Sequence, residues 1–380
     1  MKKVVLLGST GSVGRSLLDI IRRYPREFEL TGMSANSSDS LFIEQINEFR
    51  PGRASISSDK LAAGIQSKVS SRTKIYSGPG AASEIASKSD ADIVFIAISG
   101  TSALMPLVAA IKAGKKIALA SKEPIVSAGK LIMEMAQRHG AQIIPVDSEH
   151  SAIQHCLEGC DIRDVEKLYI TGSGGPLWVK EGCDMSDLTT ERVLKHPKWS
   201  MGRKITVDSA TFMNKGLEMI EARWLFGVEF EKIDVVIHPE AIVHSLVEFV
   251  DGTIKASLFN PDMRFPLLRA LAHPGKLSSD LQRVDLIKLK KMSFYKPDKN
   301  CEKAIEISRE ALGQGGTMPA VMNGANESAV HFFLEEKIRF NDIMDIVCKV
   351  MQKHCPVREP GIDEIILAEK WAGEEVRSFC

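Results

Sequence analysis

The chain has 380 residues, 44% hydrophobic and 26% charged, a composition that fits a folded globular protein and excludes a disordered or fibrous one. At ~100–200 residues per domain, that length calls for two or three domains. Lys+Arg and Asp+Glu number 49 each, so the formal net charge is zero. No nucleic-acid partner and no membrane partner is expected, and any anionic ligand must be met by a local pocket.

The apolar run after Met1-Lys2-Lys3 is too short for a secretory signal, and no stretch approaches the ~20 apolar residues of a membrane span. Cysteines at 156, 160, 183, 301, 348, 355 and 380 form no Cys-x-x-Cys pair and no zinc spacing, which suits a reducing, cytoplasmic location. Cys156 and Cys160, four apart, share a helix face by burial or as a metal or redox pair, and burial is the simpler reading.

In chain order, strands are expected at 3–7, 28–33, 91–98, 116–119 and 141–146, with helices at 12–23, 102–113 and 124–139. Alternating helices with continuously apolar strands predict an α/β, Rossmann-like parallel sheet covered on both faces. Beyond 150 the pattern becomes α+β. Strands are expected at 167–171, 234–238, 243–250 and 253–258, the second and third paired antiparallel. Asp251-Gly252 predicts a hairpin between the last two. One long helix is expected at 209–226, stopped by Gly227; 275–300 reads as a lysine-rich linker; 301–311, 319–336, 340–354 and 362–377 read as a C-terminal helical bundle.

Gly8-Ser9-Thr10-Gly11-Ser12-Val13-Gly14 lies where the first strand turns into the first helix. Glycines there let the backbone approach a pyrophosphate, and the helix N-terminus offers its N–H groups; a purely structural turn would use the same residues. Strand two runs into Ser34-Ala35-Asn36-Ser37-Ser38, without an acid until Asp39. Lacking a carboxylate to repel a 2′-phosphate, this segment favours NADPH, although no Arg or Lys fixes the choice.

Val146-Asp147-Ser148-Glu149-His150-Ser151 follows the last parallel strand, where ligands bind such sheets. Two carboxylates spaced by two in extended chain point the same way and suit Mg²⁺ or Mn²⁺. Taken alone, acids complementing a helix N-terminus are the simpler reading. Asn214, Glu218 and Glu221 share one helix face bordered by Lys215, and Glu218 could add a third carboxylate; a solvated face is the alternative. Thr171-Gly172-Ser173-Gly174-Gly175-Pro176 could hold an anion or be a flexible turn. His196-Pro197-Lys198-Trp199-Ser200-Met201-Gly202 reads as a lid or as a loop whose aromatic folds onto the core.

These motifs occur in one order, together with Ser121-Lys122-Glu123, Asp208 through Glu221, His238-Pro239, His244-Ser245, Pro261-Asp262-Met263-Arg264 and Asn323-Gly324-Ala325-Asn326-Glu327. Over essentially the whole chain the sequence closely resembles the 1-deoxy-D-xylulose 5-phosphate reductoisomerase family. The resemblance implies a homodimer with an NADPH domain at 1–147, a catalytic and metal-binding domain at 148–274 with a flap at 196–208, the 275–300 linker and a helical domain at 301–380. It implies metal-dependent rearrangement and NADPH reduction of a phosphorylated sugar, 1-deoxy-D-xylulose 5-phosphate, to 2-C-methyl-D-erythritol 4-phosphate, by a retro-aldol or an α-ketol route. Asp147, Glu149 and Glu218 match the family's ligands for Mg²⁺, Mn²⁺ or Co²⁺. Ser173, His196, Ser209, Asn214 and Lys215 match substrate-binding positions around the phosphate, Ser148 and Lys122 match residues reaching the reacting hydroxyl and carbonyl end, and Glu149 and Glu218 match substrate-binding positions as well. Lys122, Glu149, Glu218 and His244, a histidine near the active site, match catalytic positions. Thr10, Gly11, Ser12, Val13, Asn36, Ser37, Ser38, Ser121, Glu123 and Gly202 match NADPH contacts, and Trp199 and Met201 match the flap. The family often has Lys-Asn where this chain has Ser37-Ser38, and Asn where it has Ser121, which bears on the margin of NADPH over NADH. A different NAD(P) oxidoreductase without a metal and a non-catalytic cofactor sensor are the other function classes open to these residues.

Overall fold

A computed structural model describes residues 1–37, 39–175, 188–195 and 202–379. In chain order it contains β1 (Lys2–Leu7), α1 (Ser12–Arg23), β2 (Phe28–Ala35), α2 (Asp39–Phe49), β3 (Arg53–Ile56), α3 (Asp59–Gln66), β4 (Lys74–Ser77), α4 (Ala81–Lys88), β5 (Ile93–Ile96), α5 (Leu104–Lys112), β6 (Lys116–Leu119), α6 (Glu123–His139), β7 (Gln142–Pro145) and α7 (Ser148–Leu157). There follow β8 (Val165–Gly172), α8 (Thr190–Val193), α9 (Arg203–Ala210), α10 (Met213–Phe226), β9 (Ile233–Ile237), β10 (Val243–Phe249) and β11 (Ile254–Leu258). The chain ends with α11 (Arg264–Ala272), α12 (Leu286–Leu289), α13 (Lys299–Gln314), α14 (Met318–Leu334), α15 (Asp342–Lys353) and α16 (Ile362–Val376).

Two compact units result: Met1–Pro124, Ile132–Ser151 and Asp262–Leu281 form the first; Ile125–Leu131, Ala152–Pro261 and Gln282–Cys380 form the second. The first is built on an all-parallel sheet in the order β4-β3-β2-β1-β5-β6-β7. Its central strands, ending in Val4–Leu7 and comprising Ile93–Ile96, are wholly buried, as continuous apolar runs between helical layers require. Helix α1 turns Leu17, Leu18, Ile20 and Ile21 inward, joined by Leu267 and Leu271 of α11. Strand order reverses between β1 and β5, and this switch opens a crevice at the carboxyl edge of the sheet. Strands β3 and β4 escape the sequence pattern because neither is a continuous apolar run: β3 reads Arg-Ala-Ser-Ile, and the residues of β4 (Lys-Ile-Tyr-Ser) are all at least partly exposed.

The second unit contains a four-stranded sheet in the order β11-β10-β8-β9. The antiparallel pairing expected between the strands at 234–238 and 243–250 is not formed. Instead β8 lies between them, parallel to β9 and antiparallel to β10. His238 N–H donates to Gly172 O at 2.7 Å, and Ala241 takes φ 54°. That irregular corner carries the chain across the end of β8, where a direct hairpin would need a tight turn. The β10–β11 hairpin does form, with Asp251 Oδ1 accepting from the N–H and hydroxyl of Thr253.

The single helix expected at 209–226 is two helices. Phe212, at φ 61°, breaks the run between α9 and α10, and Thr211 Oγ1 accepts from Met213 N–H across the corner. Helix α10 packs on α13, and α14 packs between α15 and α16, in one apolar core that includes Met213, Leu217, Ala304, Ile307, Val321 and Ala325. Within 275–300 the chain forms the short α12, and Tyr295 bridges to Ile237.

Candidate active site

In the first unit, the carboxyl edge of the parallel sheet gathers the ends of β1, β2, β6 and β7. At the end of β1, Gly8 has φ 90°, and a Cβ there would lie 2.5 Å from Ala97 O; one on Gly14 would lie 2.2 Å from Gly8 O. No larger residue fits either place, so the glycine run is a backbone requirement. The loop is pinned from beneath: Gly8 and Ser9 N–H both donate to Ser34 O, and Ser9 Oγ donates to buried Gln45 at 2.7 Å. Gly11 caps α1 without a side-chain bond, and no acid occupies the first turn. Ser12 and Val13, in the first turn of α1, therefore present helix-terminal N–H groups and positive dipole, which suits a pyrophosphate; Thr10 and Gly11 precede them in the turn, where Gly11 N–H donates to Gly8 O at 3.4 Å. Asn36 and Ser37 are exposed just beyond β2. Ser38 lies outside the described residues.

At the same edge, Ser121 Oγ donates to Ile98 O, tying the end of β6 to the segment after β5. Lys122 and Glu123 follow, both mostly buried. Lys122 Nζ reaches Asp147 Oδ2 at 2.6 Å, with side-chain exposures of 7% and 16%. Desolvating both charges is costly, and the short pair offsets that cost. Ser148 Oγ donates to Glu149 Oε2 at 2.5 Å, and His150 Nδ1 lies 4.0 Å from Asp147 Oδ2.

In the second unit, α10 bears a buried polar stripe. Asn214 Nδ2 donates to one oxygen of Glu218, and Lys215 Nζ lies 2.6 Å from the other. Lys215 Nζ also donates to Thr171 O at 2.9 Å, which brings the ammonium to the loop after β8. Glu218 and Glu221 are each 1% exposed, so the stripe is not the solvated face that its polarity alone would suggest. In the loop itself, Gly175 N–H donates to Ser173 Oγ at 3.4 Å. A Cβ on Gly175 would lie 3.0 Å from Ser209 O, so the loop and the end of α9 touch backbone to backbone. His244, 3% exposed, stacks on Phe259 at 3.6 Å and places Nε2 3.0 Å from Phe259 O. A carbonyl only accepts, so this contact makes Nε2 the protonated nitrogen.

Gly202 precedes α9 as its N-cap, and residues 203–208 of the expected flap are helical. Pro176, His196, Trp199 and Met201 lie outside the described residues. Asp208 and Asn326 lie in the 208–221 and 323–327 motifs, yet nothing in the local pattern signals that they hydrogen-bond each other in the core.

A family model described as 1-deoxy-D-xylulose 5-phosphate reductoisomerase matches residues 4–129, and models for its C-terminal domains match 143–226 and 258–375. The 1-deoxy-D-xylulose 5-phosphate reductoisomerase of Chlorobium phaeobacteroides is 44% identical over 380 residues, covering 100% of this chain and 99% of that one. An enzyme of the same description from Bacillus cereus is 42% identical, covering 98% and 97%. The crystal structure of the Zymomonas mobilis reductoisomerase in complex with NADPH superposes with a TM-score of 0.93 at 36% identity, covering 100% of this chain and 98% of that one. A DOX-P reductoisomerase in complex with NADPH, fosmidomycin and magnesium gives 0.94 at 37% identity, with the same coverage.

Proposed function

The chain belongs to the 1-deoxy-D-xylulose 5-phosphate reductoisomerase family, and from that premise we propose how its residues carry out the family's reaction, NADPH-dependent conversion of 1-deoxy-D-xylulose 5-phosphate to 2-C-methyl-D-erythritol 4-phosphate. The observation that carries the reading is the carboxyl edge of the seven-stranded sheet, which bears both a backbone cradle that any Cβ would fill and the Asp147–Glu149 acids. The cradle fits a dinucleotide pyrophosphate, and the little-exposed carboxylates are hard oxygen donors that fit a divalent cation.

NADPH is held by Thr10, Gly11, Ser12 and Val13, with Asn36, Ser37 and Ser38 toward its 2′-phosphate and Ser121, Glu123 and Gly202 along its length. Asp147, Glu149 and Glu218 hold Mg²⁺, Mn²⁺ or Co²⁺. When bound, the cation supplies a Lewis acid and NADPH the hydride. Ser173, His196, Ser209, Asn214 and Lys215 bind the substrate phosphate; binding energy from this non-reacting end positions the carbon skeleton. Lys122 and Ser148 donate to the oxygens of the reacting end, Lys122 being preoriented by Asp147. His244, braced against Phe259, lines the same end, and Trp199 and Met201 close over it to exclude water.

The protein works as a cytoplasmic homodimer. Edge strand β11, which leaves Ile254 and Leu258 exposed, supports self-association, and no helix among the described residues is long and apolar enough to cross a membrane. Loss of reduced-nicotinamide absorbance on adding 1-deoxy-D-xylulose 5-phosphate with Mg²⁺ or Mn²⁺, abolished by a chelator, is the expected result. Oxidation that ignores the chelator would instead indicate a metal-independent dehydrogenase.

A further inference from the structure

Asp208 is a buried carboxylate that none of these roles uses. It lies on α9 immediately before Ser209 and is 1% exposed. Its Oδ1 accepts from Nδ2 of Asn326 at 2.9 Å, and its Oδ2 lies 2.9 Å from Nζ of Lys204, one turn earlier on the same helix. Asn326 comes from α14 and is itself fully buried. A carboxylate at that depth is tolerated only when its oxygens are satisfied, so the two partners fix both the side chain and the last turn of α9. From that turn the chain enters the corner before α10: Thr211 Oγ1 donates to Asp208 O at 3.3 Å, and Phe212 N–H to Ser209 O at 3.4 Å. Asn214 and Lys215 follow within three residues of Phe212.

We propose that Asn326 is a positioning residue for the phosphate end of the substrate. Through its amide it holds Asp208, and through Asp208 it sets Ser209 against the glycine loop and aims the first turn of α10. A neutral donor suits this place, because it satisfies the carboxylate without adding a second cation beside Lys204. The inference rests on the phosphate-binding role given above to Ser209, Asn214 and Lys215.

The test uses the full-length enzyme with two variants. Asn326→Leu keeps the branched shape of the side chain and loses the donor; KM for the sugar phosphate and the dissociation constant of inorganic phosphate should each rise about tenfold, with NADPH affinity unchanged. Asn326→Asp keeps a donor only while the carboxyl pair retains a proton, so its KM relative to wild type should climb with pH. A contact that merely stabilises the fold would lower the melting temperature and leave KM, phosphate affinity and that pH trend alone, and this result would overturn the proposal. Should Asn326→Leu not fold, the pH trend of Asn326→Asp decides by itself. Wild-type enzyme that does not turn over the sugar phosphate would refute the reaction, whereas unchanged phosphate affinity in Asn326→Leu would refute the positioning role.

Discussion

Gly216 lies between Lys215 and Leu217 on α10, on the side that meets α13. A Cβ added there would sit 2.1 Å from Ser308 Oγ and 2.8 Å from Ala304 O. Ser308 can turn its hydroxyl aside, although it is fully buried; the Ala304 carbonyl is α13 backbone and cannot. Tolerable contact starts near 3.4 Å, so Gly216→Ala requires roughly 0.6 Å of separation between the helices at Ala304 alone. Overpacking of this kind costs about 1–3 kcal/mol, offset by up to about 1 kcal/mol from replacing a helical glycine. The net loss of stability is therefore about 0–2 kcal/mol, a melting-temperature shift of a few degrees. Function should suffer more, because α10 carries Asn214, Lys215 and Glu218 with it. A displacement approaching 1 Å can cost up to about a hundredfold, so kcat/KM should fall by about 10- to 100-fold. Thermal melts and steady-state kinetics on the same preparation separate the two effects, and adding Ser308→Ala should restore only part of the activity, since the Ala304 carbonyl stays. Wild-type kcat/KM in a folded Gly216→Ala enzyme would refute the claim that the α10–α13 contact sets the site.

Glu218→Gln should abolish metal-dependent turnover while leaving NADPH affinity, measured by nucleotide fluorescence, unaltered. Lys215→Ala removes the ammonium 2.6 Å from a buried carboxylate, so it should cost about 3 kcal/mol of stability in a denaturant titration and raise KM at least about tenfold. Cys301 is fully buried on α13, and burial pushes its thiol up to about 12. Alkylation at mildly alkaline pH should therefore spare Cys301 and modify exposed Cys355, as peptide mass mapping would show; rapid labelling of Cys301 would contradict the packing of α13.

What the sequence revealed follows the range of the interactions involved. The run Ser12–Arg23 and the strand Lys116–Leu119 have the bounds that periodicity predicts, because one apolar face and one buried run define them locally. The Asn214–Lys215–Glu218 cluster was legible for the same reason, its members being neighbours on one helix turn. The break at Phe212 was not: apolar residues continue through it, and a left-handed phenylalanine leaves no compositional mark. The order β10-β8-β9 was hidden because β9 and β10 are adjacent in sequence, while the strand between them comes from some sixty residues upstream. Asp208 and Asn326, 118 positions apart, could not be connected by any local pattern.

Zero net charge left open how one protein could meet both a cation and an anion. The second unit suggests an answer in which the two requirements are joined. Lys215 and Glu218, 2.6 Å apart and nearly inaccessible, neutralise each other, yet the proposed roles give the ammonium to a phosphate and the carboxylate to a divalent cation. A cation bound by Glu218 weakens its hold on Lys215 and leaves the ammonium more strongly attractive to phosphate; phosphate on Lys215 does the reverse for the cation. Linkage makes the coupling equal in both directions, and couplings of about 1–3 kcal/mol are common between such sites. Inorganic phosphate should then bind the wild-type enzyme at least about fivefold more tightly with saturating Mg²⁺ than without it. Glu218→Gln should remove that difference and, by freeing Lys215 from its carboxylate, tighten metal-free phosphate binding. Equal phosphate affinities with and without Mg²⁺ in the wild type would mean that the pair serves packing alone, and that cation and phosphate are met independently.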